Sequence, residues 1–156
     1  MKKVVGFTLI ELVIVITIIG ILSAVAFTLY VNIQSQARTA KASAIYGTIR
    51  TAANLAKSVC VLDISGVSAV PTCTPTGGTA NMSDVLVDMV NQYPAATLSG
   101  IIAATQINPS ADQVTVTVGN PLFIDINGGI VPNCRVSYTE ALPGAMPVIS
   151  LDVTNC

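Results

Sequence analysis

Apolar residues fill the chain from Phe7 to Leu29, and Glu11 is the only charged residue among them. At 1.5 Å of rise per helical residue, about 20 such residues match the roughly 30 Å hydrocarbon core of a bilayer. The pattern therefore predicts one membrane-spanning helix over residues 7–29.

The apolar positions then recur with the helical period of 3.6 residues. They form one stripe of Ile33, Ala37, Ala40, Ala44, Ile45, Ile49, Ala52, Ala56 and Val59. This stripe predicts that the helix continues from about Phe7 to about Ser58, with residues 30–58 as an amphipathic half that packs against a globular head. Its many alanines and its lack of leucine at heptad positions argue against a coiled coil.

The remaining residues, 59–156, are predicted to form a β-rich head. Residues 60–80 are rich in Gly, Pro, Ser and Thr, which is typical of a loop. Residues 85–94 fit either a short helix or a strand, and residues 97–106 predict a short helix with Thr97 as its N-cap. From residue 112 the pattern alternates with period two, in runs at 113–118, 121–126, 133–141 and 147–153 that are separated by turn-forming residues. The fold class is therefore α+β, with a long N-terminal helix on one face of a four-stranded antiparallel sheet.

The four cysteines all follow the apolar segment, which indicates disulfides in an oxidising compartment. We expect Cys60 and Cys73 to be joined, because they bracket the predicted loop. A last hairpin with its turn near Ala145 would place Cys134 opposite Cys156, at a separation that suits a disulfide. A Cys60–Cys134 bridge remains an alternative. No C-x2-C pair is present, so zinc is not predicted.

The charges that flank the apolar segment predict its orientation. Lys2 and Lys3 precede it, and no basic residue follows until Arg38. By the positive-inside rule the N-terminus stays in the cytoplasm and the rest of the chain is exported. Two simpler hypotheses share these features. One is a single-span anchor, and the other is a signal peptide cut after Ala26 that releases a soluble exported domain.

Glu11 argues against both simpler hypotheses. An acid inside a span costs about 2.5–3.5 kcal/mol, and neither an anchor nor a signal peptide gains from it. A cut after Gly6 would create a positive amine at Phe7. The Glu11 of one copy could then neutralise the Phe7 amine of a neighbouring copy, so that the pair would specify assembly and the stagger between subunits.

The segment KKVVGFTLIELVIVITIIGILSAVA, with its motif G-F-T-L-I-E, resembles the N-terminus of type IV pilins and of the related pseudopilins of type II secretion. The resemblance covers roughly residues 2–27. It implies a type IVa-like leader at residues 1–6 that prepilin peptidase removes after Gly6. It also implies that Phe7 becomes the N-methylated first residue, and that Glu11 is the assembly glutamate. The segments NQYPAA and CRVSYTEA are further similar to mannose-sensitive haemagglutinin-type pilins.

The resemblance implies a structural subunit that is not an enzyme. It would sit in the bacterial inner membrane with a cytoplasmic N-terminus, and the pilus assembly machinery would polymerise it with copies of itself into an extracellular filament. The alternative is a pseudopilin of type II secretion. The chain departs from the family at one point. Many such pilins carry a proline near the position of Thr28, which helps the helix melt locally in the filament, whereas this chain has Gly20 but no proline before Pro71. The resemblance therefore does not extend to local melting of the helix around Gly20.

Several other classes of function find no support in the sequence. The chain has no His and no G-x-S-x-G motif, and its acids are scattered, so neither a catalytic site nor a cofactor is predicted. Its net charge is −1 and it has no basic patch, which argues against nucleic acid as a partner. Residues 125–129 could offer oxygens to calcium, but they lack the further acids of an EF-hand loop and fit a hairpin turn better.

Overall fold

The computed structural model describes residues 7–67 and 72–156. The chain divides into two compact units between Gln36 and Ala37. In the first unit, the described structure is the N-terminal part of helix α1 (Leu9–Leu62), whose apolar side chains are exposed. The second unit is the head together with the C-terminal part of α1.

Helix α1 (Leu9–Leu62) extends beyond its predicted end at Ser58 and is followed by a helical turn, Asp63–Val67. The predicted end was wrong because Cys60 is itself buried, so the buried face of the helix continues for one more turn. The helical conformation is interrupted at Gly66, whose φ of 86° lies in the left-handed region that favours glycine.

The buried face of α1 matches the predicted stripe only in part. The buried residues are Ala42, Ile45, Ile49, Ala52, Ala53, Ala56 and Cys60. Ala37, Ala40 and Ala44 belong to the predicted stripe but are exposed. At 100° per residue they lie roughly 100° around the helix from Ile45 and its buried successors. Two apolar lines therefore run along the helix, and only one of them faces the core.

A three-stranded antiparallel sheet follows α1, and its strands lie side by side in the order in which they occur along the chain. Its first hairpin turns at Ser83 and Asp84, which both have positive φ, as in a tight two-residue turn. The sheet corrects the prediction of a loop through residue 80 and resolves residues 85–94 as strands. Its strands are β1 (Gly77–Met82), β2 (Val85–Val90) and β3 (Tyr93–Pro94).

The predicted short helix and the predicted four-stranded sheet are both confirmed. The helical segments Leu98–Ile102 and Ala103–Thr105 follow Thr97, whose side chain accepts a hydrogen bond from the N–H of Gly100. The sheet is antiparallel, and its four strands also lie side by side in chain order. Its strands are β4 (Val114–Thr117), β5 (Leu122–Ile126), β6 (Arg135–Thr139) and β7 (Val148–Asp152).

The core of the head has two parts, and α1 contributes to both. The larger part joins Ile45 and Ile49 of α1 to inward-facing residues of the four-stranded sheet, among them Leu122 and Val136. The smaller part joins Ala56 and Cys60 to residues of the three-stranded sheet. The long helix is therefore the element against which both sheets pack.

Tyr138 links the two sheets through a buried hydrogen bond. It lies on β6, and its hydroxyl donates to the carbonyl oxygen of Pro94 on β3 at 2.6 Å. Burial, and to a lesser extent the nearby Glu140, raises the pKa of Tyr138, so the hydroxyl keeps its proton and remains a donor.

Replacing Tyr138 by Phe is expected to destabilise the head by about 1–3 kcal/mol, because the buried carbonyl of Pro94 loses this donor. Circular dichroism of the detergent-solubilised chain during denaturation would measure the change. Tyr46→Phe is the matched control, since the Tyr46 ring is only partly buried. A Tyr138→Phe chain as stable as the control would contradict the assignment.

Candidate functional site

The start of α1 is a capping box formed by Thr8 and Glu11. The backbone N–H of Thr8 donates to Oε2 of Glu11 at 2.9 Å, and the Thr8 hydroxyl donates to the same oxygen at 2.7 Å. In return, the backbone N–H of Glu11 donates to the Thr8 hydroxyl oxygen at 3.4 Å. This reciprocal pattern satisfies backbone donors that a helix start leaves open. Thr8 and Glu11 form the T-x-x-E signature of such a box, which was readable in the sequence but was not among the predictions.

The capping box gives Glu11 a partner within its own chain. Both hydrogen bonds that its side chain accepts are made by Oε2, and Oε1 accepts none from the described residues. A cation could therefore approach Oε1 without breaking the box. The carboxylate also sits in the first turn of the helix, where the positive end of the helix dipole favours an anion.

Around Glu11, α1 presents an apolar surface. Among the described residues, one helix is long and apolar enough to cross a membrane, with a mean hydropathy of 2.8 in its best 18-residue window and none of that window buried. The hydroxyls of Thr17 and Thr28 donate back to the carbonyls one turn earlier, at 2.8 and 2.9 Å. Phe7 is exposed just before the helix. Gly6 and the rest of the predicted leader lie outside the described residues.

Two disulfides close the head, and they join the pairs expected from the sequence, Cys60–Cys73 and Cys134–Cys156. Near the first, the Asp63 carboxylate accepts the backbone N–H groups of Thr72 and Cys73 at 2.7 and 2.8 Å. This bridge fixes the start of the three-stranded sheet to the end of α1.

The second disulfide forms by a route different from the predicted one. Arg135 faces Asp152 across β6 and β7, whereas the predicted register places it opposite Asn155. The three-residue difference is taken up by a turn after β7, in which the backbone and hydroxyl of Thr154 donate to the Asp152 carboxylate at 3.0 and 2.6 Å. These hydrogen bonds lower the pKa of Asp152. The turn brings Cys156 back to the level of β6.

The surroundings of the second disulfide tie β6 to the helix. The carbonyl oxygen of Cys156 accepts a hydrogen bond from the Arg38 guanidinium on α1. Gly129 leaves the room that Cys134 needs, since a Cβ at position 129 would lie 2.7 Å from the Cys134 sulfur. The three elements α1, β6 and the segment after β7 are thus held together at one point.

The oxygens considered for calcium are occupied by protein donors. Asp125 lies on β5, almost fully buried, and accepts two hydrogen bonds from the Arg135 guanidinium at 2.8 and 3.1 Å. The side-chain oxygen Oδ1 of Asn127 accepts one from the Thr115 hydroxyl at 2.9 Å. Within residues 7–67 and 72–156, no three His, Cys, Asp or Glu side chains group together in a way that could hold a metal ion.

Comparison with known proteins places the chain in a family. The family model described as "Prokaryotic N-terminal methylation motif" matches residues 1–27. The chain is 34% identical over 119 residues to the type IV narrow pilus major component PilA5 of Thermus thermophilus, which covers 73% of this chain and 87% of that protein. It is 31% identical over 137 residues to fimbrial protein EcpB of Eikenella corrodens, covering 86% of this chain and 81% of that protein.

A third relative is fimbrial protein Q of Moraxella bovis, which is 33% identical over 135 residues, or 83% of this chain and 78% of that protein. The chain has no significant match among solved structures. The relatives are matched across the head as well as the N-terminal helix, so the likeness extends well beyond the methylation motif. The chain belongs to the type IV pilins, the structural subunits of type IV pili.

Proposed function

We propose that the chain becomes a filament subunit in two processing steps. Prepilin peptidase removes residues 1–6 by cutting after Gly6, and the new N-terminal residue, Phe7, is methylated. Residues 7–29 then form the membrane span and later the filament core, residues 30–58 the amphipathic half of the helix, and residues 59–156 the head. The match to the methylation motif over residues 1–27 supports this division.

The observation that carries the proposal is a single carboxylate at the start of an exposed apolar helix, with one oxygen free of partners among the described residues. Lipid tails are as apolar as these side chains, so the apolar surface alone does not drive the helices to associate. A charge pair in a medium of low dielectric does favour association. We infer that Oε1 of Glu11 accepts a hydrogen bond from the charged Phe7 amine of a neighbouring copy, while Oε2 keeps its hydrogen bonds from Thr8.

The proposed location follows from charge and cysteine chemistry. Lys2 and Lys3 keep the N-terminus in the cytoplasm, so the chain crosses the bacterial inner membrane once. The head, with its two disulfides, then lies in the oxidising compartment outside that membrane. The pilus assembly machinery would polymerise copies of the chain into an extracellular filament.

The intact mass of the protein taken from cells, with and without reduction, tests the proposed processing. We expect the mass of residues 7–156 plus one methyl group. The mass should rise on reduction by the four hydrogens that two disulfides take up. A mass for residues 27–156 would instead show signal-peptide cleavage after Ala26 and would contradict the proposal.

A pilin and a pseudopilin of type II secretion are processed alike, so the intact mass does not distinguish them. The location of the polymer does, because a pilus is found on the cell surface. Mechanical shearing of intact cells, followed by immunoblotting of the supernatant, measures surface filaments. A type IV pilin is expected in the sheared fraction at native expression. A subunit found only in the membrane and periplasm would favour the pseudopilin.

A further inference from the structure

A groove runs along one flank of α1 in the head, between the helix and the segment 103–106. Two neighbouring cavities of about 510 and 490 Å³ form it, and they share Ala44, Thr48 and Thr105. Most of the lining consists of Ala, Gly and Thr residues, so an incoming group can reach close to the helix backbone, and Leu55 and Met82 are the larger side chains beside them.

The opposite flank of α1 carries an apolar protrusion, the tip of the β6–β7 hairpin at Leu142–Val148. The tip contains no charged residue, and Leu142 and Met146 are 72% and 73% exposed. Met146 and Arg50 of α1 line the same surface cavity. On a helix Arg50 is about 200° from Thr48, so the protrusion and the groove lie on opposite flanks of one helix.

This arrangement suits a head-to-tail contact between copies. A recess and a protrusion on opposite sides make a heterologous interface, which builds an open helical polymer when the rotation between copies does not close a ring. The chain belongs to a family of polymer subunits, so a second copy is the occupant available to every head. The hairpin tip of the same copy lies on the far side of the helix and cannot fill that copy's own groove.

We propose that, in the filament, the hairpin tip Leu142–Val148 of one copy docks into the α1 groove of the next. This contact rests on the proposed function and extends it from the N-terminal helix to the head.

Two charges fit the proposed orientation. Arg50 lies beside the tip and Asp112 at one end of the groove, and neither forms a salt bridge within the described residues. Docking offers each of them a partner. Lys41 lines the same end of the groove as Asp112. A pair between Arg50 and Asp112 of neighbouring copies therefore sets the register of the contact more than its strength.

Cysteine cross-linking in filaments tests the contact directly. One subunit carries Thr48→Cys and a second carries Met146→Cys, and both are co-expressed with an excess of the native chain so that filaments form. All four native cysteines are paired and leave no competing thiol. Mild oxidation is expected to give a mixed dimer. In the matched control, Val118→Cys replaces Met146→Cys, because Val118 is also an exposed apolar residue, at 53%.

Absence of the mixed dimer, or an equal yield with Val118→Cys, would overturn the head contact. That outcome is distinct from failure of the proposed function, in which the native chain itself would form no filament. If the cysteine variants do not enter filaments, substitutions at Gly47 decide the question.

Gly47 allows the groove to be filled without disturbing the head. A Cβ built there meets no atom within 4 Å, so Gly47→Ala fits the isolated head. The longer side chain of Gly47→Leu would extend from an exposed position into the cavity of about 510 Å³, and both residues favour the helix over glycine. We expect Leu to reduce sheared filaments about tenfold through overpacking at the docked interface, and Ala to leave them nearly unchanged. Thermal unfolding should occur at or above the native temperature for both. Native filament yield from a stable Gly47→Leu chain would overturn the proposal.

Discussion

Glu11→Ala is expected to abolish incorporation into filaments while the chain still inserts into the inner membrane. Insertion should survive because the substitution removes the one charge from the apolar segment. Assembly should fail because, in the proposed pair, the Phe7 amine of a neighbouring copy is left buried without its counter-charge. Breaking such a pair costs about 3–5 kcal/mol, which corresponds to a more than roughly 100-fold loss of association. Immunoblots of sheared filaments, normalised to the membrane pool, would measure the loss.

Two further substitutions separate the charge of Glu11 from its role in the capping box. Glu11→Gln keeps an oxygen that can accept from Thr8 but removes the charge, and it should be as defective as Glu11→Ala. Thr8→Ala removes the cap and keeps the charge. It should cost the helix start about 1 kcal/mol and reduce filaments far less. Normal filaments from Glu11→Gln would show that the carboxylate acts only as a cap.

The same residues show how far the sequence could predict the site. The apolar run and its lone acid predict Glu11 as the candidate site without any structure, because period and length alone define the segment. The capping box was equally readable as Thr8-x-x-Glu11, but the acid was explained only by an intermolecular partner. The sequence could not show that Oε1 has no partner among the described residues, because that depends on which oxygen the Thr8 groups select.

Parts of the fold were hidden for a different reason. Strand β1 has the sequence GGTANM, with two glycines and an asparagine that disfavour strands, and only its pairing with β2 holds it extended. The two apolar lines on α1 have the same period, so the sequence could not show that Ala44 faces out while Ile45 faces in. In both cases the structure depends on the element that packs against the segment, and the period of the sequence does not show which element that is.

The predicted register of β6 and β7 was wrong because hydrogen bonds from side chains alter the backbone path after β7. Alternation predicts which residues share a face, but the turn after Asp152 is made by hydrogen bonds from Thr154 to a carboxylate. That turn consumes three residues and returns Cys156 to Cys134. The expected Cys134–Cys156 disulfide is therefore present, although the strand register from which it was predicted was wrong.

Replacing Cys134 and Cys156 together by Ala is expected to destabilise the head by about 3.4 kcal/mol, on the loop-entropy model for the 22-residue separation of this pair. For a chain of this size, that lowers the unfolding temperature by roughly 7–14 °C. The bridge belongs to the larger core and holds the carbonyl that Arg38 contacts, so its loss also frees the segment after β7 from the helix. Thermal unfolding followed by circular dichroism, in detergent, would measure the shift.

The other disulfide supplies the matched comparison. Cys60 and Cys73 are 13 residues apart, for which the same model gives about 2.9 kcal/mol. The difference from loop length alone is small, so a clearly larger effect of the Cys134–Cys156 pair would reflect its position in the core and its link to α1. In that case Arg38→Ala should add little once the bridge is gone, because both act on the same segment. If removing the Cys60–Cys73 pair lowers the unfolding temperature more, the stability of the head is determined by the smaller core at the helix end and not by the Cys134–Cys156 disulfide.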